Sequence, residues 1–321
     1  MNTGLRIVVL GILTALVIGM WAMAWISKRF EAVAEGVAAL EARRFETLSA
    51  VAVGTGGIFE NHNRSGPAIA VGLGRDMLLV DAGRGVASAL RAAEIPAWQP
   101  SHLIISQLLP ENTLGLDDLW LSGWLGQREV PLQILGPPGT SQLVERLRSV
   151  YEGEAQRQAE LWGLSAEGGL TPVQEVTSET RLQVGEMEVV LVPLAGTDPP
   201  VLGLRIQSAT RSLAIATRGL PAAGVEELAR GADWLWTEAL YGASLDAAEE
   251  AGIDQLEQLK NEASLHLHLE DAGALASRAG VRGLVLIRLR PPPVFSSRYR
   301  DLVGETFSGA VVLPEDGEVI E

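Results

Sequence analysis

The first hydrophobic segment of the chain, residues 7–26, reads IVVLGILTALVIGMWAMAWI and carries no charged side chain. At about 1.5 Å per residue, a helix of this length spans about 30 Å, the thickness of the hydrocarbon core of a bilayer. Trp21 and Trp25 lie near its end, and Lys28 and Arg29 follow it, as is typical of a membrane interface. The pattern predicts one transmembrane helix within residues 1–28.

A cleaved signal peptide is the competing interpretation of the same segment. Arg6 would supply the basic start, and Ala22-Met23-Ala24 would supply a cleavage site of small residues. The apolar run is longer than the 7–15 residues usual in signal peptides, which favours an anchor. Basic residues on the two sides nearly balance, but a six-residue tail is easily retained inside. We therefore expect a single-pass protein of a bacterial-type inner membrane, with its domain on the periplasmic side.

Beyond the anchor, the hydrophobic pattern changes twice. Residues 29–49 place apolar side chains at near-helical spacing beside Glu and Arg, which predicts a helical stalk. Residues 50–321 alternate short apolar strands with amphipathic segments, separated by Gly, Pro and Asp turns. Helices are predicted over residues 85–93, 116–125 and 141–161. Strands that alternate with helices over more than 250 residues indicate a single α/β domain with layered sheets.

The amino-acid composition limits which partners and which kinds of active site the chain can have. The chain has 321 residues, 47% of them hydrophobic, and a formal net charge of −15 from 40 acidic and 25 basic residues. Such a charge opposes binding to a phosphate backbone, so no nucleic acid partner is expected. Cysteine is absent and only four histidines are present. Thiolate metal sites and Cys nucleophiles are therefore excluded.

Five stretches occur in order along the domain: VAVGTGG, RSGPAIAVGLGRDMLLVDAGRG, HLIISQLLPENTLGLDDLWL, LQILGPPGT and VRGLVLIRLRPPP. Together they resemble the successive landmarks of the metallo-β-lactamase fold, in the branch that contains ribonuclease Z and arylsulfatase-like hydrolases. The resemblance covers about residues 50–321. It implies a four-layer αββα sandwich, with a two-metal site at one edge of the paired sheets.

The loop that should hold the metal ions has lost its ligands. In the family, the strand corresponding to LIIS leads into a His-x-His-x-Asp-His loop. Here Gln107, Leu109 and Asn112 stand at the three His positions, and Glu111 stands at the Asp position. Leucine offers no donor atom and an amide is a poor zinc ligand.

The other ligand positions depart from the family in the same way. Ala195 stands where a ligand His precedes Gly, Arg218 stands at the Asp that bridges both metals, and Arg288 stands at the last His. A divalent ion about 4 Å from a guanidinium is repelled by about 8 kcal/mol at an effective dielectric of about 20. We therefore expect zinc to be lost and no cofactor to replace it.

A few neighbours of the family site survive. His266 matches a family His that precedes a helix, and Glu238 matches the Glu of a His-Glu-Ala motif. With Glu111, they are the candidate remnant site, although a hydrogen-bonded structural role is the favoured interpretation of His266. Asp81 in VDAG is expected to hydrogen-bond the neighbouring loop, as the family Asp does. His62 and His268 are interpreted as a surface residue and a helix-entry residue.

These residues lead to three functional hypotheses. The first is a membrane-anchored, catalytically inactive pseudohydrolase that binds or scaffolds an unnamed protein partner. The second is a hydrolase of the phosphodiesterase or esterase type, with a rebuilt site using Glu111, His266 and Glu238. The third is a receptor for a small anion held by Arg218 and Arg288. The sequence favours the first and leaves a homo-oligomer open. It also predicts that an arginine at a former metal position pairs with Glu111 or Glu238.

Overall fold

The protein is described by a computed structural model that covers residues 3–37, 39–57, 63–197, 199–218, 222–242, 249–250, 252, 256–264, 266–293 and 296–321. The chain divides into two compact units, residues 1–41 and residues 42–321.

The first unit consists of one long helix, α1 (Thr3–Val37). Within it, Leu10–Glu31 forms a 22-residue segment with a mean hydropathy of 1.9 and no buried residue. In the part of the chain that is described, it is the one helix long and apolar enough to cross a membrane. Residues 45–49, which fall within the predicted helical stalk, belong instead to the first strand of the second unit.

The first sheet of the second unit contains seven strands in the described residues, in the order β14-β1-β2-β3-β4-β5-β6. The pairs from β14 to β3 are antiparallel, and those from β3 to β6 are parallel. The strands are β1 (Phe45–Gly54), β2 (Ala68–Gly74), β3 (Asp76–Val80), β4 (His102–Ile104), β5 (Gln133–Gly136), β6 (Val173–Glu175) and β14 (Val319–Ile320).

The second sheet also has seven described strands, in the order β13-β12-β11-β10-β9-β8-β7. The pairs from β7 to β10 are antiparallel and those from β10 to β13 are parallel. The strands are β7 (Thr180–Val184), β8 (Met187–Pro193), β9 (Leu202–Gln207), β10 (Ser212–Ala216), β11 (Trp234–Leu240), β12 (Gly283–Arg290) and β13 (Ala310–Val312).

Helices cover the outer faces of both sheets. On the first sheet they include α2 (Val86–Ala92), α3 (Pro110–Thr113), α4 (Leu116–Leu125) and α5 (Thr140–Trp162), followed by a 3₁₀ turn (Glu167–Gly169). On the second sheet they include α6 (Ala222–Ala229), α7 (Leu256–Ala263), α8 (Leu269–Ala279) and α9 (Ser296–Gly304). The predicted helices near residues 85–93, 116–125 and 141–161 are thus confirmed to within a residue or two.

Three hydrophobic clusters explain this layering. One lies between the two sheets and includes Leu78 and Trp236, and the other two lie between each sheet and its helices. The strands in these layers are apolar on both faces, as is typical of sheets buried on both sides. The expectation of an α/β fold with two sheets flanked by helices is confirmed.

This layering also fixes where polar side chains can gather. The parallel strands β3 and β4 of one sheet, and β10, β11 and β12 of the other, all end near the same edge. Loops at the carboxyl ends of parallel strands are the usual place for a functional site in α/β proteins. The clearest link across this edge is the backbone N–H of Leu202, which donates to the carbonyl of Ser106 at 2.8 Å.

Candidate functional site

The centre of this edge is an ion-pair cluster around Glu111. The residue belongs to α3, a single turn after β4, and is only 5% exposed. Nη2 of Arg288 contacts its Oε1 directly. Nη2 of Arg290 lies 3.1 Å from Oε2 and 3.2 Å from Oε1. Two guanidinium groups therefore neutralise one buried carboxylate.

A second chain of contacts passes through His266. Nδ1 of His266 lies 2.8 Å from Oε1 of Glu238, and Nε2 lies 2.8 Å from Nη1 of Arg290. A guanidinium can only donate hydrogen bonds, so Nε2 must be the acceptor. The proton of a neutral imidazole then sits on Nδ1 and is donated to Glu238. The geometry assigns His266 this tautomer, in which the lone pair of Nε2 accepts the hydrogen bond from Arg290.

Glu238 is buried in the interior of β11, with 1% of its surface exposed. Burial raises the pKa of its carboxyl, but the hydrogen bond with His266 and the charge of Arg288 outweigh burial, and the pKa falls below its usual value. Its Oε2 makes no hydrogen bond within the described structure and lies 3.8 Å from Nη2 of Arg288. An ionised Glu238 can therefore orient His266 and stabilise positive charge on its ring.

Beside this chain lies a hydrogen-bond network centred on Asp81. Its carboxylate accepts bonds from the backbone N–H and the hydroxyl of Ser106, both at 2.8 Å, and from Nδ2 of Asn112 at 2.7 Å. The hydroxyls of Ser106 and Thr217 are 2.6 Å apart. The expected role of Asp81 in tying down the neighbouring loop is confirmed. Burial raises the pKa of Asp81 to about 6, although its hydrogen bonds and Arg288 act to lower it.

Two of these residues have backbones in the left-handed region. Asp81 has a φ of 62° and Arg288 a φ of 52°, a conformation that costs free energy for residues other than glycine. Both occur at or near the carboxyl end of a strand. The backbone N–H of Arg288 donates to the carbonyl of Thr55 at 3.0 Å, and its Nη1 donates to the carbonyl of Thr217 at 3.1 Å. These contacts fix the strained residue at the centre of the site.

The residues at the former ligand positions do not fit a pair of metal ions. Leu109 has no donor atom, and Ala195 is exposed in a turn after β8. Arg288 is 1% exposed, and its guanidinium pairs with Glu111, one of the side chains that would face a metal. Gln107 is buried, and its Oε1 accepts no hydrogen bond from the residues that the structure describes. Among the described residues, no group of three or more His, Asp or Glu side chains could hold an ion.

The predicted ion pair between an arginine at a former metal position and Glu111 is confirmed, and its cation is Arg288. Arg218 is half-buried in the bend after β10. Because the guanidinium of Arg288 is buried against Glu111, the structure gives no support to the small-anion receptor built on Arg218 and Arg288. His268 is the residue before α8, as predicted, and His62 lies outside the described residues.

Sequence reasoning missed Arg290. A signal was available, because Arg290 lies two positions after Arg288 in the stretch VRGLVLIRLRPPP, and residues two apart on an extended strand share a face of the sheet. Thr217 was missed as well, and nothing in the sequence singles it out. The structure thus brings together Glu111, Glu238, His266 and Arg288 from the predicted set, and adds Arg290.

Comparison with known proteins gives the family. No family model matches the chain. A ribonuclease Z from Mycolicibacterium paratuberculosis is 32% identical over 274 residues, which cover 82% of this chain and 94% of that protein.

Solved structures agree on the fold. The metallo-β-lactamase-fold protein YhfI from Bacillus subtilis superposes with a TM-score of 0.64 at 19% identity, over 86% of this chain and all of that one. The short form of human tRNase Z superposes with a TM-score of 0.61 at 20% identity, over 85% of this chain and 99% of that one.

These comparisons correct the main functional hypothesis. An inactive pseudohydrolase with a binding or scaffolding role was inferred from the missing ligands, whereas the relatives that match over most of the chain are ribonucleases Z and fit a hydrolase better. The physical reason is that losing metal ligands does not remove every group able to move a proton or bind an anion. The loss of zinc stays a prediction. Because its 32% identical relative covers most of both chains, the chain belongs to the ribonuclease Z family of the metallo-β-lactamase fold.

Proposed function

We propose that the protein is a phosphodiester hydrolase whose active site is built on side-chain cations and one histidine. The single observation that carries the proposal is the chain of contacts from Glu238 through His266 to Arg290, two hydrogen bonds of 2.8 Å each. A buried carboxylate that orients a neutral His is the usual arrangement of a general base. Membership in a family of ribonucleases supports a phosphodiester as the bond that is cleaved.

In this mechanism, Nε2 of His266 takes one proton from a water molecule as the water oxygen attacks phosphorus. Glu238 stabilises the imidazolium that forms. The bond from phosphorus to the leaving oxygen then breaks, and that oxygen takes the proton back from His266. The products are a phosphomonoester and an alcohol, so the histidine ends in its starting state. Positive charge from a guanidinium would stabilise the negative charge that gathers on the phosphoryl oxygens.

We propose a small phosphodiester as the substrate, in preference to RNA. The support is the formal net charge of −15 and the sequence pI of about 4.8. Polynucleotide binding depends on many Lys and Arg contacts that release counterions, and an acidic surface opposes it. A small ester needs only the few cations within the site itself.

We further propose that residues 7–26 anchor the protein in a bacterial-type inner membrane, with the catalytic unit on the periplasmic side. The support is the length of Leu10–Glu31, its mean hydropathy of 1.9 and the lack of any buried residue within it. A helix that is apolar on all sides fits a lipid environment better than water. The anchor would hold the hydrolase near the membrane surface.

The test of the activity is turnover of bis(p-nitrophenyl) phosphate by the full chain in detergent, with a chelator present to suppress contaminating metal nucleases. His266→Ala should lower kcat by about 10²- to 10⁴-fold, the usual contribution of a general base. His102→Ala is the matched control, since His102 begins β4 at the end away from the site, and it should turn over normally. Folded protein that shows no turnover above background, on this ester or on a short RNA, would overturn the proposal.

A further inference from the structure

Arg290 differs from the other charged members of the site in its exposure. Its side chain is 16% exposed, against 1% for Arg288, 3% for Glu111 and 2% for Glu238. It occupies the last position of β12, where the strand leaves the sheet. An anion that enters this site from solvent therefore meets the guanidinium of Arg290 before it meets the buried charges.

The resting contacts of Arg290 hide the catalytic nitrogen. Its Nη1 donates to Nε2 of His266 at 2.8 Å. As long as this hydrogen bond exists, the lone pair of Nε2 cannot accept a proton from water. The state that the structure records is thus inactive toward the mechanism proposed above.

Moving Arg290 would leave Glu111 paired. Arg288 already contacts Oε1 of Glu111, and Arg288 is itself fixed by the carbonyls of Thr55 and Thr217. A buried carboxylate that keeps one guanidinium partner avoids the large cost of an unpaired charge.

We propose that Arg290 is the phosphate-binding residue of the site, and that its transfer from His266 to the substrate phosphate uncovers Nε2 as the base. A guanidinium binds a phosphate group in a bidentate manner, with two parallel charge-assisted hydrogen bonds. That interaction replaces the contacts with Glu111 and His266. The inference rests on the proposed hydrolase function and adds that the site becomes active only when a phosphate ester is bound.

The binding step can be tested without turnover. The full chain, labelled with ¹⁵N-histidine in detergent, is titrated with dimethyl phosphate, and the ¹⁵N shifts of His266 are followed. We expect the Nε2 signal of His266 to shift on saturation, while the signals of His102 stay in place. Arg290→Met should show a shifted Nε2 signal before any ligand is added. Its Kd for dimethyl phosphate should rise about tenfold or more, which is the expected loss of a charge-assisted hydrogen bond.

Two further variants separate a binding role from a structural one. Arg290→Lys keeps the charge and should recover part of the affinity, with KM affected more than kcat. Arg282→Met is the matched control, because Arg282 precedes the opposite end of the same strand and is 85% exposed; its Kd should equal that of the unchanged protein. Thermal unfolding of each variant shows that it is folded.

The outcomes distinguish the two proposals. If dimethyl phosphate binds folded Arg290→Met as tightly as it binds the unchanged protein, the role of Arg290 is overturned. The same holds if the ligand leaves the Nε2 signal of His266 in place. Either result counts against Arg290 even if esters are hydrolysed. If binding depends on Arg290 but no ester is hydrolysed, the role of Arg290 in binding is supported. The proposed hydrolase function is then overturned.

Discussion

Arg288 and Glu111 form a buried ion pair, although 177 positions separate them in the chain. One belongs to β12, in the parallel part of the second sheet, and the other to the helical turn after β4 of the first sheet. The pair thus joins the two halves of the sandwich at the edge where the family holds its metal ions. The positive charge that compensates Glu111 at this edge is a buried guanidinium.

Removing the guanidinium should destabilise the fold strongly. In Arg288→Met, the negative charge of Glu111 loses one of its two guanidinium partners. Glu238 loses the cation that lies near its Oε2. Arg290 still pairs with Glu111 in this variant, so we expect the free energy of unfolding to fall by about 1.5–3 kcal/mol, the usual contribution of a hydrogen bond to a charged group. Urea denaturation of the variant and the unchanged protein gives this number.

A double-mutant cycle shows whether the loss comes from the pair itself. Arg288→Met combined with Glu111→Leu should lose clearly less stability than the sum of the two single changes. Arg282→Met, which removes an exposed ion pair with Asp233, should cost about 1 kcal/mol or less. Additive losses in the cycle would show that Arg288 acts through packing and not through its charge.

Metal removal should have no effect on stability. The side chains at the former ligand positions include two arginines, an alanine and a leucine, which cannot complete a zinc site. We expect protein purified without added metal to contain well below one equivalent of zinc. Dialysis against a chelator should leave the midpoint of thermal unfolding unchanged. A stoichiometric, tightly held metal ion would contradict this expectation.

Asp81 should make stability fall as pH rises through the mildly acidic range. Its pKa is raised from 3.8 to about 6, so between these values the folded state binds a proton that the unfolded state has lost. Folding then takes up a proton, and the free energy of unfolding decreases with increasing pH, by at most about 3 kcal/mol for this residue.

The readout is the difference in stability between the unchanged protein and Asp81→Asn, measured from pH 4 to pH 7. Asn cannot ionise, so the unchanged protein should lose stability relative to Asp81→Asn as pH rises through this range. Asp301→Asn, an exposed carboxylate on α9, should show a flat difference. A flat difference for Asp81→Asn as well would mean that Asp81 is ionised across the whole range.

The full chain should behave as an integral membrane protein. We expect it to remain in the membrane pellet after carbonate extraction, and a truncated chain that begins at Phe30 to be soluble. Leu16→Arg should weaken membrane retention, because a charge at the centre of a span costs about 2.5–3.5 kcal/mol. Leu161→Arg, on an exposed part of α5, should have no such effect. A mature protein that begins at Trp25 would show that the segment is a cleaved signal.

Local patterns determined much of this protein. The period of apolar residues, with the glycines between them, predicted the helices near residues 85–93, 116–125 and 141–161 and the alternation of strands with helices, because regular structure repeats at fixed spacing. The order of the landmarks gave the fold, and the identity of single residues showed that His ligands are missing. Each of these facts depends on neighbours in the sequence or on one side chain at a time.

Tertiary structure alone decided which charges meet. Whether Arg218 or Arg288 pairs with Glu111, and whether Arg290 caps His266, depends on how two sheets pack. A hydrogen bond of 2.8 Å between residues 24 positions apart has no local signature. The tertiary structure also decides the tautomer of His266. A guanidinium contacts one ring nitrogen and a carboxylate contacts the other, so the proton of the neutral ring can lie only on the nitrogen that faces the carboxylate. The missing ligands were visible in the sequence, whereas the groups that replaced them became visible only when distant strand ends were brought together.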